Sequence, residues 1–282
     1  MIDFLLGPFI RNEFMARALA GGFLVSLTCA IVGTFVVLRG LAFIGDALSH
    51  GVLPGVAVAM LLGLPGMVGA AAGSLAMILG IGYITRRSNL SSDTAIGLLF
   101  VGMLALGVVI VSRSRSFSGD LVHILFGEVF GISWADIAGQ AGAALAVSAA
   151  AFVCRRPFLL LSFSPEQADV SGFPSRRYHS IMLLMIALTV VVSFKTVGTL
   201  LVFGLLIAPA AAAALFSRRV GSMMAIAWAF GAVSTYAGLL ASYYLDIAGG
   251  GSIALVATLL FFALFAGKRF FTADMPTFFA IW

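Results

Sequence analysis

The sequence predicts an all-α, polytopic membrane bundle. Three observations predict it. Of the 282 residues, 62% are hydrophobic and only 10% carry charge. Mean hydropathy is +1.15, far above that of any soluble domain. Runs of about 20 apolar residues recur along the whole chain, the length a helix needs to cross a bilayer. Barrel strands would alternate polar and apolar over about ten residues, and these runs do not.

Nine apolar segments are expected, near 18–38, 41–63, 66–85, 94–112, 133–154, 180–195, 197–217, 221–245 and 252–267. Eight remain possible, because the sixth and seventh are short and nearly fused at Lys195–Gly198. The first follows a polar lead with Asp3, Arg11, Glu13 and Arg17, and it is too long for a signal-peptide core, so it is expected to stay as a span. Basic residues set the orientation. With the N-terminus outside and the C-terminus cytoplasmic, eleven fall on the cytoplasmic side (Arg39, Arg86, Arg87, Arg155, Arg156, Arg176, Arg177, Arg218, Arg219, Lys268, Arg269) and five outside. The net charge of +5 is therefore a topological signal and not a nucleic-acid one. Cys29 and Cys154 lie inside apolar runs and read as packed thiols.

The stretch 113–132 is too polar to span and reads as an interfacial or re-entrant helix on the outer side. The longest cytoplasmic connection is 155–178, with an arginine pair at each end. Ser164, Pro165 and Glu166 are a helix start: N-cap, first-turn proline, first-turn acid. A docking helix and an ordinary solvated loop both fit it. Residues 1–282 form one transmembrane domain in this reading. Small residues are dense, with Gly69 and Gly73 spaced for close helix packing.

The chemistry concentrates at residues 40–64, GLAFIGDALSHGVLPGVAVAMLLGL. An ionisable residue in a bilayer costs roughly 2.5–3.5 kcal/mol on insertion scales, and this segment carries Asp46 and His50. Positions i and i+4 share a helix face. Counted from Arg39, Asp46 lies about 10 Å and His50 about 16 Å into a core about 30 Å thick. A carboxylate and an imidazole on one face suit a divalent metal. Pro54 cannot donate to the His50 carbonyl, so a helix break is expected there, with Gly51 and Gly55 leaving room. Pro209 frees the Leu205 carbonyl in the same way, at a second break or a plain kink. Two side chains do not complete a four-ligand site, and no other ionisable residue lies well inside an apolar run. A two-fold dimer would supply Asp46 and His50 twice. The alternative is that the pair simply holds the bundle together.

His123, near Asp120 and Glu128, reads as a solvated interfacial residue or an aid to cation entry. His179 reads as a helix-edge residue, and Asp246 as a turn residue. Motifs of metalloproteases, serine hydrolases and phosphate-binding loops are absent, so any ATP-driven step belongs to a partner.

Residues 33–59, GTFVVLRGLAFIGDALSHGVLPGVAVA, resemble the signature of the metal-transport permeases of ABC importers, the zinc, manganese and iron uptake group (the ABC-3 family). Arg39, Gly45, Asp46, Leu48, Ser49, His50 and Leu53–Val56 carry the match. Residues 197–213, VGTLLVFGLLIAPAAAA, are similar to a second family segment, and 125–133, LFGEVFGIS, to a third. Residues 164–172, SPEQADVSG, are similar to the family's cytoplasmic coupling stretch, with Ser164 where Asp is usual. The resemblance implies a permease homodimer in a bacterial inner membrane, a pair of cytosolic ATP-binding cassette subunits and an extracytoplasmic metal-binding protein. It implies that Asp46 and His50 of both protomers hold the ion in transit. It also implies that Pro165, Glu166, Ala168, Asp169 and Gly172 belong to an ATPase-docking element. The expected cargo is zinc by a small margin, then manganese or iron. The competing readings are a proton-coupled divalent-metal antiporter, disfavoured because only one Asp/His pair is present, a membrane enzyme, for which no second constellation is found, and a non-transporting scaffold.

Overall fold

The computed structural model describes residues 2–88, 90–112 and 127–271. Among these residues there are twelve α-helices. They are α1 (Ile2–Arg11), α2 (Glu13–Leu38), α3 (Ala42–Leu61), α4 (Gly66–Arg87), α5 (Ser92–Ser112), α6 (Trp134–Val153), α7 (Arg155–Phe163), α8 (Pro165–Val170), α9 (Ser175–Val197), α10 (Thr199–Ala214), α11 (Val220–Leu245) and α12 (Gly249–Phe271). A 3-10 turn at Val129–Gly131 precedes α6.

Among the described residues eight helices are long and apolar enough to cross a membrane: α2, α3, α4, α5, α6, α9, α11 and α12. The seventh apolar segment forms the shorter α10, whose 16 residues reach about 24 Å. It is joined to α9 through Gly198 alone, at φ +82°, a conformation that costs glycine little. The near-fusion at 195–198 is therefore a one-residue hinge between two helices.

α2 is the hub. It is the most buried span and packs against α6, α9, α10 and α11. Its small residues let neighbours in. A methyl group added at Gly33 would overlap the Leu206 carbonyl of α10. Ser26 and Thr235 share a buried hydrogen bond of 2.9 Å between α2 and α11. α3 packs against α4 and α5, and α10 against α11 and α12.

The two ends of the bundle are chemically distinct. At one end Trp134 donates to Glu13 (3.2 Å) and Asn12 to the Tyr243 hydroxyl (3.4 Å). There α1 stacks Phe9 on Tyr236, whose hydroxyl donates to the Leu5 carbonyl. At the other end Arg39 meets His179, and Lys268 donates to the Leu215 carbonyl. Asp246 caps α11 at φ +53°, the turn role its sequence context suggests. Cys29 is buried, Cys154 is partly so, and neither forms a disulfide.

The expected break at Pro54 is corrected here: α3 runs unbroken from Ala42 to Leu61. α10 also continues through Pro209 as one helix, so of the two readings offered there the break is the one excluded. A proline removes one rung of the ladder, and in a packed helix the neighbouring helices hold the rest. Gly51 and Gly55 do not open space around the His50 carbonyl. They press α3 onto α4: an added methyl at Gly55 would lie 2.1 Å from the Gly69 carbonyl oxygen, and one at Gly73 would lie 2.7 Å from that of Gly51.

Candidate metal site and coupling segment

Asp46 and His50 share one stripe of α3. Phe43, Asp46 and His50 follow one another at helical spacing and each is at least partly exposed, whereas Pro54, the next position in that register, is buried. The rest of the helix is largely buried. His50 Nε2 lies 3.5 Å from Asp46 Oδ1, and the two side chains keep 15% and 23% exposure respectively. Two ligand atoms about 2.1 Å from one ion and at a tetrahedral angle are about 3.4 Å apart. The separation matches that of two ligands on one ion, and equally that of a direct His–Asp contact within the bundle.

The imidazole is oriented by packing. Its ring meets Phe100 of α5 edge-on, with centroids 5.3 Å apart, and Phe43 braces the same Phe100 ring at 5.4 Å. His50 Nδ1 is buried and has no hydrogen-bond partner among the described residues. Ser49 is turned away, donating to the Gly45 carbonyl at 2.8 Å, so it offers nothing to an ion beside His50. Gly45 itself lets Leu206 and Phe203 of α10 close on α3 beside Asp46. Among the described residues no third His, Cys, Asp or Glu completes a metal group. A cleft of about 430 Å³ between α3, α4 and α5 reaches Pro54 and Gly55, but its lining is apolar and includes neither Asp46 nor His50.

The connection 155–178 contains more helix than its sequence suggests. Its first part is the helix α7, which packs Phe158 against Phe35 of α2 with ring centroids 5.1 Å apart. An apolar residue at 158 followed by 161, both buried, was the available signal. α8 starts as expected: Ser164 accepts from the Gln167 N–H at 3.2 Å, with Pro165 in the first turn. Serine thus caps this helix at the position where the family segment usually has aspartate. Pro165, Glu166, Asp169 and Gly172 are exposed, whereas Ala168 is buried and anchors the helix. Gly172 turns the chain at φ +83°.

Asp169 closes this segment. Its carboxylate accepts from the Ser175 N–H at 2.6 Å and from the Ser175 hydroxyl at 2.9 Å. The backbone bond, then the hydroxyl bond, holds its carboxyl below the usual range. A lowered folded-state pKa gives a contribution that is full above the unfolded value, about 4, and is lost as pH falls through the folded one. Amide exchange at Ser175 should therefore stay slow, after correction for intrinsic rates, down to about pH 4 and speed up only below it. In Asp169→Ala it should be fast throughout.

His123 and Asp120, the greater part of the expected outer amphipathic segment, and Leu125 and Phe126 of the third motif lie outside the described residues. The described end of that stretch is the turn at Glu128–Gly131.

The sequence profile of the ABC 3 transport family matches residues 11–268. The chain belongs to that family. It is a membrane permease subunit of an ABC transporter and not the ATPase. It is 38% identical over 260 residues to the manganese transport system membrane protein MntC of Halalkalibacterium halodurans, covering 92% of this chain and 89% of that one. It is 35% identical over 261 residues to the chelated iron transport system membrane protein YfeD of Yersinia pestis, covering 93% and 88%. Among solved structures it resembles PsaBC from Streptococcus pneumoniae in complex with Fab, with a TM-score of 0.83 and 35% identity over 94% of this chain and 95% of that one.

Proposed function

We propose that this permease imports a divalent transition metal, that it works as a two-fold dimer, and that Asp46 and His50 of both protomers form the transit site. One observation carries the reading. The ionisable pair lies together on a partly exposed part of α3, at a separation that fits one ion. Leaving that pair to lipid is costly, so it faces a second protein surface or an aqueous path. A second copy also supplies the two ligands that a single chain lacks.

In this reading the N-terminus is outside. A binding protein delivers the ion at the end that carries Glu13 and Trp134. The cassette ATPases dock on the exposed α8, at Pro165, Glu166 and Asp169. The ion loses water, meets two carboxylates and two imidazoles, and leaves when the site opens the other way. The two states must differ in affinity, because equal affinity would shift nothing. An antiporter reading gains no support, since the chain belongs to an ABC transport family.

Manganese is the favoured cargo. Relatives are named for manganese and iron, and carboxylate-plus-imidazole sites suit both. The slight sequence-based lean towards zinc gains nothing from those names. Cells lacking their own importers, given this chain with its cognate ATPase and binding protein, should accumulate radiolabelled manganese. Excess unlabelled manganese should suppress uptake, and zinc should suppress it less. Accumulation of none of manganese, iron or zinc would overturn the metal reading.

A further inference from the structure

An unbroken series of contacts runs from α8 to the helix that carries Asp46. Asp169 of α8 accepts two hydrogen bonds from Ser175, the first residue of α9. One turn further along α9, His179 Nδ1 lies 2.9 Å from Arg39 Nη1. A guanidinium only donates, so Nδ1 is the acceptor and the ring proton sits on Nε2. The same Arg39 nitrogen approaches Met182 Sδ at 3.8 Å. Arg39 also caps α2, donating its N–H to the Phe35 carbonyl. Gly40 then turns the chain at φ +64°, and α3 begins at Ala42.

A ladder of rings runs beside this link. Phe173 meets Tyr178 at 5.8 Å, Tyr178 meets Phe158 at 6.4 Å, and Phe158 meets Phe35 at 5.1 Å. These rings join the turn after α8 to α9, α7 and α2. They give the segment a rigid seat, but they end on α2. Among the described residues Arg39, at the turn that starts α3, meets α9 through His179 and, more weakly, through Met182, and α9 also packs directly on α3.

The choice of partner is informative. Arg39 is half-buried and bonds a neutral acceptor where a carboxylate would bind it more tightly. A bond to a neutral ring is directional, and breaking it strands no second charge. That suits a contact remade in every transport cycle.

We infer that the Arg39–His179 hydrogen bond is the strut through which displacement of α8 reaches α3 and the Asp46–His50 pair. The inference rests on the permease reading above. Arg39 and His179 are positioning residues and touch no ion.

The test uses the full complex in proteoliposomes, with the cognate ATPase and binding protein. His179→Phe keeps the ring and removes the acceptor. His179→Asn places an amide oxygen near the position of Nδ1 and restores it. Manganese uptake should fall roughly tenfold or more in His179→Phe, the effect of losing a charge-assisted bond, while ATP hydrolysis persists. It should largely return in His179→Asn. Independently, ATP binding should alter amide exchange at residues 40–46 in wild type and His179→Asn but not in His179→Phe. Wild-type uptake and exchange in His179→Phe, or an Asn variant as defective as the Phe variant, would overturn the strut. Should the wild type move no manganese, the metal reading falls, and the exchange comparison alone decides the strut.

Discussion

Asp46→Asn and His50→Ala should each abolish metal uptake while leaving the permease folded and assembled. The expected loss is more than roughly a hundredfold, because even partners one step removed from a metal ligand are worth 10–100-fold. Asp46→Asn keeps the shape and one acceptor oxygen but removes the charge that offsets a divalent ion. His50→Ala removes the nitrogen ligand and also the ring that packs against Phe100. That second loss is a packing loss, so His50→Gln is the cleaner companion variant. Uptake measured at matched membrane levels, with binding-protein-stimulated ATP hydrolysis as a control for assembly, separates the two causes. Undiminished uptake in Asp46→Asn and His50→Gln would leave the pair as a structural contact within the bundle.

Gly55→Ala should be the most damaging single-methyl change in the described chain's α3–α4 seam. The added carbon would lie 2.1 Å from the Gly69 carbonyl oxygen, and 2.9 Å from the Gly73 amide nitrogen. Both obstacles are backbone, so no rotamer change relieves them. Two helices must separate, and the seam extends to Gly51 and Met77. Overpacking in cores costs about 1–3 kcal/mol when side chains can yield, and here the upper end or more is expected. Gly82→Ala on α4 is the control, since an added carbon there meets nothing within 4 Å. It should be neutral or slightly stabilising, as alanine favours helix over glycine. Thermal unfolding of the purified permease in detergent should separate the two variants clearly. Equal melting temperatures would show that the seam is loose.

These two results bear on what the sequence made legible. Asp46 and His50 stood out because charge inside an apolar run is rare and costly, and their i, i+4 spacing fixed a common face. The helix count was nearly right for the same reason, since span length is set by the bilayer. The Ser164 cap was legible because capping is local chemistry. The glycines were misassigned: Gly51 and Gly55 sit beside His50 in sequence, but a helix face turns 100° per residue, and theirs points to α4. Nothing in the α3 sequence names α4 as its partner. The break at Pro54 failed because packing against α4 and α5 supports the helix across the missing rung. α1 and α7 went unread because they are short and flank polar residues, and their apolar faces are recognisable only against Tyr236 and Phe35. The Arg39–His179 contact joins residues 140 positions apart, and local pattern carries no trace of it.

The central claim is that one ion is shared by two copies of the Asp46–His50 pair. Manganese bound to the purified, assembled transporter tests it most directly, by counting ions and reading the nitrogen couplings in its electron–nuclear double resonance spectrum. The account predicts one manganese ion per two permease chains, coupled to histidine nitrogen, with both the ion and the coupling lost in His50→Gln. One ion per chain, or a nitrogen coupling that survives in His50→Gln, would contradict it.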